Sequence, residues 1–183
     1  MDTLWSPWRY RYVSRQSPTP GCVFCRIASS VDEDETSLVV YRGQHVYIVL
    51  NRFPYSTGHL MIVPFAHVPD LASLEDACLL EMMQLARRAE QALRLTYQPG
   101  GFNLGLNLGE CAGAGIAAHL HLHILPRWTG DANFMTTIGE TRVIPEDLAE
   151  TWRKLRPCFK SGETAHCADP APPAGRPPER SAL

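Results

Sequence analysis

The sequence predicts an α+β fold, in which an antiparallel sheet of about five strands carries a long helix on one face and a short helix follows near the C-terminus. Two patterns in the 183 residues predict it. In segments 38–64 and 102–127, short apolar runs alternate with turn residues, as in strands joined by hairpins. Between these segments, apolar residues recur every three or four positions, which is typical of one face of a helix.

The first three predicted strands follow one another along the chain. Two β-branched runs, residues 38–41 and 46–50, flank a short polar turn and therefore predict an antiparallel hairpin. A third apolar run, residues 60–64, follows the polar loop 51–59. The acidic stretch 31–36, which precedes all three, is expected to be a solvated loop.

The long helix is predicted from about residue 73 to residue 97. Ser73 and the acids after it resemble a capping box, and Pro99 marks the end of the helix. A second, short helix is predicted to begin at Pro145 and to reach Arg156, because proline suits the first turn of a helix. The side chains of the long helix that are expected to face the core are Leu79, Met82, Met83, Ala86, Ala89 and Leu93.

Residues 102–108 alternate between apolar and small or polar side chains, which predicts a half-buried strand. This alternation is expected to bury Phe102 and the three leucines and to turn Asn103, Gly105 and Asn107 to the opposite face. The loop that follows, residues 109–116, is rich in glycine and alanine, which let backbone amides approach an anion. A flexible turn is the ordinary interpretation of such a loop when it stands alone.

Three histidines, His119, His121 and His123, occupy every second position of the last predicted strand. Because strand side chains alternate, their imidazoles are expected on one face, with the aliphatic residues between them on the other. A solvent-exposed strand would explain one such histidine better than three. The three imidazoles could bind a metal, or one could attack phosphorus while its neighbours donate hydrogen bonds to phosphate oxygens. The nearby asparagines and glycines favour phosphate.

A zinc hydrolase with the same three histidines as ligands is the weaker alternative. Alternate positions on a strand supply two metal ligands readily and three less easily, and no acidic residue adjoins the motif as a general base. A separate candidate is the C-x-x-C pair Cys22 and Cys25, which can be half of a zinc site, a redox pair or two buried thiols. A closed zinc site needs a second pair of ligands.

Composition limits the classes of function. A formal net charge of −2 gives no general attraction to nucleic acid or to acidic membranes. No segment approaches the roughly 20 apolar residues of a membrane span, and the N-terminus lacks the apolar core of a signal peptide, so a cytoplasmic protein is expected. The predicted organisation is an aromatic N-terminal arm (1–20), one domain (21–160) and a disordered tail (161–183) rich in proline and alanine.

The three alternate histidines with apolar spacers, followed by Pro126 and Arg127, resemble the signature of the histidine triad (HIT) family. Segments 4–10, 51–64 and 126–134 are similar to the branch of this family that comprises bacterial diadenosine tetraphosphate phosphorylases (ATP adenylyltransferases). The resemblance extends over about residues 4–157 and implies a HIT-like fold. It also implies cleavage of a dinucleoside polyphosphate by nucleotidyl transfer, with inorganic phosphate or water as the acceptor.

The resemblance also implies roles for particular residues. His121 would attack the α-phosphorus with its other ring nitrogen held by a backbone acceptor, and His123 and His59 would neutralise the developing charge. Relatives usually place Ser, Thr or Gln just before the triad, where Gly115 and Ile116 stand here. The residues that the family pattern places at the catalytic site are His59, His119, His121 and His123, and those that it places at the substrate are Phe24, Ile27, Val49, Asn51, Asn107, Gly113, Gly115 and Trp128.

The same resemblance supplies the second pair of metal ligands, His67 and His119, which with Cys22 and Cys25 would hold a structural zinc ion. The expected partners are a dinucleoside polyphosphate and inorganic phosphate, with no nucleic acid and no membrane. HIT domains commonly pair, so at least a homodimer is expected. A non-catalytic nucleotide-binding protein that uses the same pocket remains an alternative from a different class.

Overall fold

The structure, a computed structural model, describes residues 21–131 and 144–160. The predicted arm (1–20) and tail (161–183) lie outside the described residues. Within the described ranges, no helix is both long and apolar enough to cross a bilayer.

One antiparallel sheet of five strands forms the centre of the domain, in the order β1-β2-β3-β5-β4. Each neighbouring pair is antiparallel, and β2 pairs with β3 over the whole length of both strands. The fold class predicted from the sequence is therefore confirmed. The strands are β1 (Val39–Arg42), β2 (Val46–Leu50), β3 (Leu60–Pro64), β4 (Gly101–Leu106) and β5 (Leu122–Arg127).

Five α-helices surround this sheet within the described residues. The longest, α3, packs on one face of the sheet, and the short helix α4 follows near the C-terminus, as predicted. The predicted start at Pro145 is wrong, since α4 begins at Leu148, and a second short helix, α5, follows it. The α-helices are α1 (Val23–Ser29), α2 (Asp34–Ser37), α3 (Asp76–Tyr97), α4 (Leu148–Leu155) and α5 (Pro157–Lys160), and two single 3₁₀ turns span Val31–Glu33 and Glu110–Ala112.

Helix α3 buries a continuous apolar stripe against the strands. Gly58 allows the helix to pack closely, because a Cβ atom there would lie 2.8 Å from Cδ2 of Leu93 and the residue has a φ of +76°. The predicted core position Met83 is wrong, since this side chain is 59% exposed. The capping box is also wrong: the Ser73 amide and hydroxyl bond to Asp70, and the helix begins three residues later. The buried residues of α3 are Cys78, Met82, Leu85, Ala86, Ala89, Ala92 and Leu93.

Strand β4 lies at the edge of the sheet, and this position overturns its predicted burial. Leu104 is 45% exposed and Leu108 is 41% exposed, while Phe102 and Leu106 are half-buried. The alternation of side chains is correct, but α3 contacts β2, β3 and β5 rather than covering the outer strand. Alternation predicts which side chains share a face, and it does not predict whether another element covers that face.

The acidic segment before β1 is helical and structural, so its prediction as a solvated loop is wrong. Asp34 accepts from Arg42 at 2.9 Å and pairs with Arg156 at 3.1 Å. The same Arg42 guanidinium donates to the carbonyl oxygens of Ile27, Ala28 and Ser30 at the end of α1. These bonds fix α1, which carries the C-x-x-C pair at its start, against the sheet.

Candidate functional site

The three triad histidines do not line one face of a single strand. Strand β5 begins at Leu122, and His119 lies before it in irregular structure, where the Leu120 amide donates to the carbonyl oxygen of Val68 at 2.7 Å. The rings of His121 and His123 are neighbours, with centroids 4.9 Å apart. The ring of His119 turns away toward the C-x-x-C pair. The alternation rule fails at His119 because the backbone there is not extended in a sheet.

The ring of His121 is oriented by the backbone of His119. Its Nδ1 lies 2.8 Å from the carbonyl oxygen of His119. A carbonyl oxygen can only accept, so Nδ1 carries the proton and Nε2 carries a lone pair. His121 is 6% exposed, its ring packs on that of Phe24 at 5.0 Å, and its burial lowers its pKa. The imidazole is therefore neutral at neutral pH, with an unprotonated Nε2.

A chain of hydrogen bonds also fixes the tautomer of His123. The backbone N–H of Tyr55 donates to Nδ1 of His59 at 3.1 Å, so the proton of His59 lies on Nε2. This Nε2–H points at Nδ1 of His123 at 2.9 Å, which makes that nitrogen an acceptor. The proton of neutral His123 is then on Nε2, where it can be donated to a ligand. Burial, with a smaller contribution from electrostatic interaction with the His121 ring, lowers the pKa of His123 to about 4.

Asn51 is buried and organises the loop that carries His59. Its backbone amide donates to the carbonyl oxygen of His59 at 2.9 Å, and its side-chain oxygen accepts from the amide of Phe53 at 2.9 Å. Its amide nitrogen lies 3.4 Å from Nδ1 of His59. Tyr55, which sequence reasoning missed, packs its ring on His59 at 4.8 Å and on His123 at 6.1 Å. An aromatic residue in a loop carries no sequence signal specific enough to have identified it.

A cavity of about 200 Å³ opens beside His123 at the β4 edge. The predicted substrate residue Asn107 is in its lining, together with Asn103, which the sequence predicted to share that face and which is not among the predicted substrate residues. The complete lining consists of Tyr55, Asn103, Leu104, Gly105, Leu106, Asn107, His123 and Leu125.

The other predicted substrate residues are not in the wall of this cavity. Phe24 contacts the rings of His119 and His121, and Ile27 packs against the core. Val49 is buried in β2, opposite Met61, which in turn is opposite His123. Gly113 and Gly115 lie in the loop after β4, where Gly113 has a φ of +87° and its amide donates to the carbonyl oxygen of Glu110. Trp128 follows β5, and its backbone amide donates to the carboxylate of Asp131.

A second cluster brings together Cys22, Cys25, His67 and His119, as the family resemblance implied. One ligand atom from each residue lies within 4.8 Å of the other three, so the cluster could hold a metal ion. Nδ1 of His119 lies 3.3 Å from Sγ of Cys22 and 3.6 Å from Sγ of Cys25, and Nδ1 of His67 lies 3.2 Å from Sγ of Cys25.

These distances fit a tetrahedral zinc ion. Zn–N and Zn–S bonds of ordinary length place neighbouring ligand atoms roughly 3.3–3.8 Å apart. Nε2–H of His119 donates to the carbonyl oxygen of Pro64 at 2.9 Å, so Nδ1 is the nitrogen available to a metal. Two sulfur and two nitrogen ligands form a closed set without a position for substrate, which is typical of a structural site.

Comparisons with known proteins agree with this geometry. A family model described as the HIT domain matches residues 32–130. The chain is 43% identical over 163 residues to the AP-4-A phosphorylase of Mycobacterium tuberculosis, covering 85% of this chain and 83% of that protein.

Solved structures share the fold. A Zn-bound histidine triad family protein from Mycobacterium smegmatis aligns with a TM-score of 0.61 and 28% identity, covering 75% of this chain and 92% of that one. A HIT family member from Bacillus subtilis aligns with a TM-score of 0.55 and 27% identity, covering 78% and 99% of the two chains.

Proposed function

This chain belongs to the HIT domain family, and from that premise we propose that it is a nucleotidyltransferase that converts diadenosine tetraphosphate and inorganic phosphate to ATP and ADP. The observation that carries the proposal is the fixed tautomer of His121, whose Nδ1–H is held by a backbone carbonyl while Nε2 keeps its lone pair. The similarity to a protein named AP-4-A phosphorylase supports the choice of substrate and acceptor.

In the first step, Nε2 of His121 attacks the α-phosphorus. A P–N bond forms between His121 and the α-phosphorus. The bond from the α-phosphorus to the oxygen that bridges it to the β-phosphorus breaks, and ATP leaves. Negative charge spreads over the phosphoryl oxygens as this happens. The Nε2–H of His123, whose orientation is maintained by His59, is the donor for those oxygens or for the leaving oxygen, and the amide of Asn107 is a second donor in the same cavity.

In the second step, an oxygen of inorganic phosphate attacks the same phosphorus, the P–N bond breaks and ADP is released. A second tetrahedral anion needs room beside the nucleotidyl-histidine, which the glycines at positions 113 and 115 would leave. The Gly113 amide already donates to Glu110, so this residue contributes space rather than a hydrogen bond. Water as the acceptor would give AMP and remains the second outcome of the test below.

The remaining predicted alternatives are less well supported by the geometry. A hydrolase that used the three triad histidines as zinc ligands would need their nitrogens to converge. Among the described residues, the only potential metal group with three or more ligands is the cysteine–histidine cluster, which takes His119 and leaves out His121 and His123. A non-catalytic binding protein would not require the unprotonated Nε2 of His121 to be oriented so specifically.

Zinc belongs to this proposal as a structural ion held by Cys22, Cys25, His67 and His119. Bound there, it would link α1 to the segment that precedes β5 and would supply no chemistry at the substrate. A cytoplasmic location belongs to the proposal too, because thiolate ligands persist in a reducing compartment.

A homodimer is the assembly that we propose. The edge strand β4 exposes Leu104, Leu108 is exposed just after it, and an uncovered apolar edge favours pairing with a second chain. Light scattering on the purified protein would test this directly, and a monomer at micromolar concentration would contradict it.

The reaction is tested by incubating the protein with diadenosine tetraphosphate, with and without inorganic phosphate, and separating the nucleotides. We expect ATP and ADP to form only when phosphate is present, and a His121→Ala variant to form neither. ATP and AMP appearing at the same rate with or without phosphate would make this protein a hydrolase.

A further inference from the structure

The cavity beside His123 extends beyond the groups that the proposed reaction uses. In the pairing of β4 with β5, Gly105 is opposite His123 and Asn103 is opposite Leu125. Two residues along a strand correspond to about 7 Å. Asn103 therefore lies in the wall of the same cavity, two residues along the strand from the position opposite His123. It is farther from the attacked phosphorus than the histidines by about that distance.

The amide group of Asn103 has a defined orientation. Its Oδ1 lies 2.6 Å from Nη1 of Arg127, and Arg127 is itself held by two bonds to Asp131, at 2.6 and 2.8 Å. A guanidinium group only donates, so the amide oxygen must face Arg127 and the NH₂ group must be the other branch. Within the described part of the chain this NH₂ group has no hydrogen-bond partner, and Asn103 lines the cavity.

We propose that Asn103 is a specificity-determining residue whose NH₂ group donates to the phosphates beyond the attacked one, and so favours substrates with a long polyphosphate chain. The proposal rests on the proposed function. The α-phosphate of a mononucleotide reaches His121 and His123 but does not extend to Asn103, whereas a tetraphosphate chain covers that distance. Because Asp131 neutralises Arg127, recognition at this position falls to the amide and not to the arginine charge.

The test compares the binding of two nucleotides to variants made in a His121→Ala background, which prevents turnover. Asn103→Asp keeps an oxygen for Arg127 but replaces the NH₂ donor with a carboxylate oxygen. By calorimetry, we expect Kd for diadenosine tetraphosphate to rise about tenfold or more, the loss of one hydrogen bond to a charged group, with Kd for AMP unchanged. Arg127→Ala, which releases the amide, should raise Kd for the tetraphosphate about threefold.

Gln91→Glu is the matched control. It makes the same amide-to-carboxylate change on the solvent-exposed side of α3, a helix that contributes no residue to the wall of the cavity, and it should alter neither Kd. The role of Asn103 would be overturned if Asn103→Asp weakened the binding of both nucleotides equally or of neither. It would also be overturned if Gln91→Glu had as large an effect. Either result would leave the proposed function standing. Failure of the tetraphosphate to bind the parent His121→Ala protein would overturn both.

Discussion

The carbonyl oxygen of His119 accepts the Nδ1–H of His121 at 2.8 Å, while the ring of His119 lies in the cluster with Cys22, Cys25 and His67. His119 therefore connects the two sites: its ring belongs to the potential metal site, and its backbone carbonyl group holds the proposed nucleophile. A metal ion held by the ring of His119 would therefore restrict the backbone that carries this carbonyl group.

Metal removal is accordingly expected to destabilise the fold. Elemental analysis of purified protein should find about one zinc per chain, and Cys25→Ser should lower the melting temperature. A loss of about 2 kcal/mol would correspond to roughly 4–8 °C in a chain of this size. Cys111→Ser, at an exposed free thiol outside the cluster, is the control. Metal-free protein that melts at the same temperature as the purified protein would argue against a structural metal.

The relay from Tyr55 through His59 to His123 predicts a difference between two substitutions of His59. His59→Phe removes the N–H that points at Nδ1 of His123, so the proton of His123 is no longer confined to Nε2. We expect kcat for diadenosine tetraphosphate to fall about tenfold to a hundredfold, with a smaller change in KM. Gln can return an N–H donor and should recover part of the loss. Equal rates for the two variants would show that the relay does not matter.

The lowered pKa of His123 predicts a dependence of stability on pH. The pKa of His123 is about 4 in the folded protein and near 6.5 when unfolded, so the unfolded state binds the proton more readily. Stability should be unaffected by this group above about pH 6.5 and should decline as the pH falls toward 4, by up to about 1.4 kcal/mol per pH unit. Urea unfolding at pH 7 and pH 5 measures this change.

His123→Asn provides the comparison for that measurement, because it removes this one group and leaves the other histidines in place. The free energy of unfolding of the variant should fall less between pH 7 and pH 5 than that of the natural protein. Parallel declines would mean that other groups, such as His119 and His121, whose pKa values burial also lowers, account for all of the pH dependence.

A hydrogen bond from the hydroxyl of Tyr97 connects the end of α3 to the segment before α4. It donates to Oε1 of Glu146 at 2.5 Å, and the same carboxylate accepts from Thr151 at 2.8 Å and pairs with Lys154. Tyr97→Phe should cost about 1 kcal/mol, or roughly 2–4 °C in melting temperature. Tyr41→Phe should cost less, because the Tyr41 hydroxyl makes no hydrogen bond within the described ranges. Equal shifts for both variants would contradict this account of Tyr97.

The sequence predicted the strands and the long helix because their periodicity reflects local burial, and it predicted the cysteine–histidine cluster through the family pattern. It misassigned His119, whose backbone leaves the extended conformation just before β5. It also misjudged Leu104 and Leu108, because their exposure depends on which strand lies at the edge. Alternation along one strand contains no information about strand order.

The contributions of Tyr55 and Asn103 could not be predicted for a related reason. Tyr55 acts through its backbone N–H, which every residue other than proline possesses, and through a ring contact created by the loop. The orientation of the Asn103 amide depends on Arg127, 24 positions away, and on the register between β4 and β5. Such contacts exist only once the sheet has formed.

The central claim is that His121 becomes covalently nucleotidylated, and mass spectrometry of the trapped intermediate tests it most directly. The protein is mixed with diadenosine tetraphosphate without phosphate and quenched in alkali, where a P–N bond to histidine survives, and its peptides are then analysed. We predict one added adenylyl group on the peptide that contains His121, its absence in His121→Ala, and its loss with formation of ADP when phosphate is supplied before the quench. Adenylylation that persists in His121→Ala, or turnover by that variant at the rate of the natural protein, would contradict the account.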